Sequence, residues 1–105
     1  MDIYRSTMAF PEAERYGLAA QMRRAAVSVV SNIAEGSARN SDRDEVRFFR
    51  IAQGSACELE CQLLLARDVG LLAADAWVTL DRACRGVGKM LNGLIRSYRT
   101  HSYRR

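Results

Sequence analysis

Apolar residues recur along this chain at steps of three and four, the spacing of one face of an α-helix. Leu18, Met22, Ala25, Ala26, Val29 and Ile33 fall on one side of such a helix, with Arg24, Ser28, Ser31 and Glu35 on the other. The pattern predicts a helix from about Glu14 to Gly36, with Pro11 and the acids Glu12 and Glu14 suited to its start. A second stripe, Phe48, Ile51, Ala52, Ala56, Leu59, Leu63 and Ala66, predicts a helix from about Asp42 to Val69. Ser41 to Asp44 form a capping box at its start, Ser41 accepting from the backbone and Asp44 reaching back. At its end Gly70 is placed for the left-handed C′ position, and Leu71 for the accompanying apolar contact. The last stripe is Trp77, Leu80, Cys84, Val87, Leu91, Leu94 and Tyr98, on a helix from Asp75 to Tyr98 or beyond. A short helix over Asp2 to Ala9, stopped at Phe10-Pro11, precedes all three. Short connections between long helices give an all-α, antiparallel up-down four-helix bundle with a truncated first helix.

Two helices carry more apolar surface than one core needs. Val46, Phe49, Cys57 and Leu64 project away from the stripe of the third helix, and Val27, Val30 and Ala34 form a secondary ridge on the second. Such patches mark partner surfaces, so the chain is expected to self-associate through Val27, Val30, Val46, Phe49 and Leu64. The alternative is one wide core stripe covered by the first helix.

Composition narrows the class. The 105 residues make one domain over 1–105, and 49% hydrophobic content with a single Pro belongs to a folded helical chain. The single Asn-Gly pair, Asn92-Gly93, falls inside the last helical stripe rather than between alternating segments, and no Asp-Gly occurs, so no hairpin is indicated. Cys57, Cys61 and Cys84 are an odd count without framework spacing, read as reduced core or interface thiols. Cys57 and Cys61 could be half of a metal site, but the single His101 leaves the ligand set short, so no metal is expected. No signal-peptide pattern or membrane-length apolar run is visible, and the expectation is a cytoplasmic protein without a membrane partner.

One string of residues is distinctive. Phe10-Pro11 leads to Glu14-Arg15-Tyr16-Gly17-Leu18 and Gln21 to Ser28, then to Ser31-Asn32-Ile33-Ala34-Glu35-Gly36. Gly54 to Leu63 and Met90-Leu91-Asn92-Gly93-Leu94-Ile95 complete the set. In these stretches the chain resembles the four-helix-bundle family named for proteins encoded in intervening sequences of bacterial 23S rRNA genes. That family usually has Pro where Val30 stands. Val keeps its N–H, so the second helix is expected to run straighter. The family's first helix also begins well before the position of Met1. The resemblance further implies a likeness to accessory proteins of diversity-generating retroelements, ring-like homopentamers with a basic surface that work with a reverse transcriptase and nucleic acid. A homopentamer is the assembly it suggests. It carries over no catalytic residue.

Charge supplies the functional expectation. The first 81 residues hold nine basic and twelve acidic side chains; the last 24 hold seven basic and none acidic. Arg82, Arg85, Lys89, Arg96 and Arg99 fall within roughly 100° of arc on the last helix, which leads into a basic tail from about residue 99. Arg39, Arg43, Arg47 and Arg50 form a second group, with Asp42, Asp44 and Glu45 interleaved. That second group reads as a solvated face, and the first either as such a face or as a phosphate-binding one. Catalysis is not indicated. Glu58 and Glu60 are two apart, on nearly opposite sides of a helix, and no Glu-x-x-His motif exists. Asn32, Glu35, Ser55 and Gln62 at the stripe edges read as polar residues that fix helix register. The expectation is a non-enzymatic homo-oligomer without cofactor or small-molecule substrate, binding nucleic acid, RNA before DNA, without sequence-specific readout. The alternative is an adaptor module that docks on an acidic partner such as a nucleic-acid enzyme.

Overall fold

A computed structural model describes the backbone of residues 3–8, 10–11 and 17–103, with side chains through residue 98. Its helices are α1 (Ile3–Met8), α2 (Leu18–Ser37), α3 (Asp42–Asp68) and α4 (Ala74–Tyr103). The start expected for α2, near Glu14, lies outside the described residues. α2 runs unbroken through Val30, and α4 continues to Tyr103, so residues 99–103, expected as a tail, extend the helix instead.

Both ends of α3 are set locally. Ser41 Oγ accepts a bond from the Asp44 N–H at 3.2 Å, whereas among the described residues no reciprocal bond runs from the Ser41 N–H to the Asp44 carboxylate. At the other end Gly70 takes φ +83°. The Leu71 N–H reaches the Ala66 carbonyl at 2.9 Å and the Gly70 N–H the Arg67 carbonyl at 3.1 Å, the two bonds of a Schellman motif. Leu71 packs on the core beside it.

Contacts between the helices fix an antiparallel order. Along α2 and α3, Gly36 meets Phe49 and Ser28 bonds Ser55 (Oγ···Oγ 2.7 Å). Along α3 and α4, the Cys84 thiol donates to the Ala56 carbonyl at 3.2 Å and the Tyr98 hydroxyl to the Glu45 carboxylate. α1 is clamped on α2. Thr7, fully buried, donates to the Ile3 carbonyl and accepts from Arg23 Nε at 2.8 Å, and the Arg23 guanidinium lies 5.1 Å from the centre of the Tyr4 ring. The main core joins Ile3, Met22, Val29, Leu59, Leu63, Leu80 and Cys84; a second cluster holds Phe49, Ala52, Leu91 and Ile95. The result is long and thin, 53 × 22 × 16 Å. Its radius of gyration of 15.5 Å exceeds the ~13 Å usual for a compact domain of this length.

Three assignments change. Phe49, expected to face a partner, is 3% exposed, and Val46 is half-buried against the same cluster. The physical reason is α4, which lies along that flank of α3 and covers it. Ile51, expected in the core, is exposed, and Phe48 is only half-buried. On α4, Ile95 rather than Leu94 continues the buried stripe, because it turns toward α3 and the Phe49 cluster. Cys84 is a core thiol as expected, but Cys57 and Cys61 are exposed.

Candidate nucleic-acid interface

The outer face of α4 presents Arg82, Arg85, Lys89 and Arg96 to solvent. Arg99 belongs to the same helix, but its side chain lies outside the described residues. Arg85 is engaged: its Nε lies 2.8 Å from Asp81 Oδ2 and 3.7 Å from Glu60 Oε1. The bond to Asp81, then the charges of both acids, raise its pKa further above the ordinary guanidinium value. Asp81, four residues before Arg85, is the acid that closes this pair, so the basic stripe is not free of intrahelical partners. Among the described residues Arg82 and Lys89 have no ion-pair partner. With Trp77, Val78 and Gly86 these cations line a shallow depression of about 380 Å³.

α3 brings its own cations alongside. The ties from Tyr98 to Glu45 and from Tyr98 to Phe49 (ring centres 6.1 Å apart) set Arg43 and Arg50 level with the last turns of α4. Both are exposed and, among the described residues, have no ion-pair partner. Glu45 faces α4 and takes up the Tyr98 hydroxyl. This bond, then burial, pushes the Tyr98 phenol up to about 12. The two arginine groups, separate in sequence, therefore overlap along the α3–α4 hairpin: Arg43 and Arg50 lie level with the Arg96 end of the α4 stripe, while Arg85 sits beside Glu60. Antiparallel pairing is what joins them, and neither stripe reveals it alone.

Sequence reasoning also missed Phe48. Placed in the core stripe, it instead carries two cations: the Arg39 and Arg47 guanidinium carbons lie 4.6 and 4.7 Å from its ring centre. The adjacent Arg47-Phe48 pair was the available signal. Arg39 also pairs with Glu35 at 2.9 Å.

A model of the 23S rRNA-intervening sequence proteins matches residues 1–93. The chain belongs to that family. The match spans all of α1, α2 and α3 and most of α4, with the cations through Lys89 inside it. No curated protein matches the chain.

The remaining residues of this family member sort by exposure. Val27, Val30 and Leu64, expected at an oligomer interface, are 48%, 68% and 42% exposed. Val27 and Val30 join Ile3, Tyr4, Ala26 and Ser31 around an apolar hollow of about 270 Å³ between α1 and α2. Ser55 bonds Ser28 across the two helices, whereas the Asn32 amide donates within its own helix to the Ser28 carbonyl at 2.8 Å. Gln62 is buried, and its amide donates to Glu58 at 3.2 Å, whereas Glu35 is exposed. Burial pushes the Cys84 thiol up to about 12, with Glu60 and Asp81 adding to the effect, so it is a poor nucleophile. Among the described residues no group of three His, Cys, Asp or Glu side chains could hold a metal, and no helix is long and apolar enough to cross a membrane.

Proposed function

We propose that this family member is a non-enzymatic homo-oligomer that binds nucleic acid, RNA in preference to DNA, through phosphate contacts on the outer face of α3 and α4. The alignment of Arg43 and Arg50 with the Arg96 end of the α4 stripe carries the reading. Two helices contribute, so the cations span a surface rather than a line. Arginine predominates, and its planar fork suits phosphate. Acids nearby are partly taken up: Asp81 and Glu60 by Arg85, and Glu45 by Tyr98. Self-association is supported by the exposed Val27 and Val30 beside an apolar hollow, surface that a monomer seldom leaves bare. A pentamer is the assembly proposed, and the cytoplasm its compartment.

The test is a titration of single-stranded RNA against salt. Four or five phosphate contacts give a log–log slope of roughly −3 per chain, at about −0.7 per contact on single strands. Replacing Arg82 and Lys89 together by Gln should lower affinity and slope while the oligomer persists. Arg85 is left intact because its loss would strand Asp81 and Glu60. No binding at low salt, or an unchanged double variant, would turn the reading toward an acidic protein partner.

A further inference from the structure

The cluster around Phe48 differs from the rest of the basic surface because its cations rest on an aromatic ring. We propose that Arg39, Phe48 and Arg47, at the corner between α2 and α3, form a base-stacking site that selects single-stranded over double-stranded nucleic acid. The inference rests on the nucleic-acid reading above and adds a contact to bases. Both guanidinium carbons lie within 5 Å of the ring centre, at 4.6 and 4.7 Å. A guanidinium held over an aromatic ring loses little further freedom when a ligand arrives. Its plane can stack an unpaired base while its N–H edge reaches a phosphate. Arg47 is exposed and has no ion-pair partner among the described residues; Arg39 shares the exposed Glu35. Arg43 and Arg50, on the outward side of the same α3 turns, stand ready for the backbone of a bound strand. Of the carboxylates of that first turn, Glu45 is drawn toward α4 by Tyr98 and Asp42 lies near the same tyrosine, whereas Asp44, half-buried, stands one turn before Arg47 and Phe48. A duplex keeps its bases stacked inside and can offer this corner only phosphates, so the ring-backed arginines favour a strand with unpaired bases.

Three probes separate stacking from charge: a single-stranded RNA carrying 2-aminopurine, a matched RNA duplex, and inorganic polyphosphate. The Arg39→Lys/Arg47→Lys variant keeps both charges and removes both planes. Its affinity for the single strand is expected to fall about tenfold, within the range for one stacked base, with little change on duplex or polyphosphate. Stacking should also quench 2-aminopurine fluorescence in the wild type and less in the variant. Phe48→Leu, which keeps an apolar side chain at a half-buried position, should give the same selective loss. An equal loss on all three probes, or none on the single strand, overturns the proposal. If the wild type binds the strand and Arg82→Gln/Lys89→Gln weakens it while the lysine variant does not, this corner alone fails. If the wild type binds none of the three, the parent reading fails with it.

Discussion

Gly36 and Phe49 are packed so closely that a Cβ on the glycine would lie 2.7 Å from Phe49 Cε1 and 3.1 Å from the Glu45 carbonyl oxygen. The absent side chain at the end of α2 is what lets the Phe49 ring turn in between α2 and α4. Once there, the ring meets Tyr98, and Tyr98 meets Glu45. One glycine thus sets the closed end of the bundle and, through it, the alignment of the basic residues of α3 and α4.

Gly36→Ala should destabilise the fold despite the better helix propensity of Ala. Overpacking of this kind costs about 1–3 kcal/mol, against the ~1 kcal/mol that Ala gains over Gly within a helix. A lowered urea midpoint with an unchanged slope is the expected result. Phe49→Ala, by contrast, should cost about 3–5 kcal/mol through the cavity it leaves.

Self-association and folding should separate at two positions. Val30→Glu places a charge on exposed apolar surface and is expected to dissociate the oligomer in light scattering while helicity holds. Phe49→Glu buries an unpaired carboxylate and should instead lose the fold. Dissociation by Phe49→Glu with native helicity would move the interface to the α3–α4 side.

Thiol labelling should divide the cysteines. Cys57 and Cys61 are exposed and should react with a disulfide reagent near pH 8, whereas Cys84 should react only on unfolding. The same burial gives a pH dependence. Folded Cys84 keeps its proton to about pH 12, while its ordinary pKa is 9.0. The folded chain therefore binds more protons in that interval, and this contribution to stability is lost as pH rises above about 9. The Cys84→Ala variant should show a shallower alkaline decline than the wild type.

Tyr98→Phe should cost about 1 kcal/mol, the ordinary worth of one hydrogen bond, since the site is only half-buried. The loss should hold while the Tyr98 phenol keeps its proton, which the bond to Glu45 and burial extend to about 12. If the tie also aligns the basic faces, the variant will bind RNA more weakly than its stability change requires. Hydrogen exchange should locate the loosening in the last turns of α4.

Most of the architecture was legible because helical periodicity is a local property. The Schellman turn at Gly70 followed from one glycine and one leucine, and Met22, Val29, Leu59 and Leu63 followed from spacing alone. Phe49 did not, because a residue some 60° off a stripe is equally placed to face solvent or a neighbouring helix. The course of α4 decides which, and a single stripe does not contain it. The union of the arginines of α3 with those of α4 was hidden for the same reason. The Arg85–Asp81 pair was different: four residues apart on one helix, it was readable in advance.

Along the inner side of α3, several of the most enclosed positions are small. Ala52 and Ala66 are wholly enclosed and Ala56 nearly so, with Cys84 bonded to the Ala56 carbonyl across the gap. Small side chains there leave room for the neighbouring helices to approach closely. A conventional scan that truncates each residue to alanine would pass over these sites in silence. A scan that enlarges each residue to leucine would invert the map, sparing sites such as Val27 and striking hardest at Ala52, Ala56 and Ala66. The constraint that shapes this molecule most tightly is therefore one that only addition, and never removal, can detect.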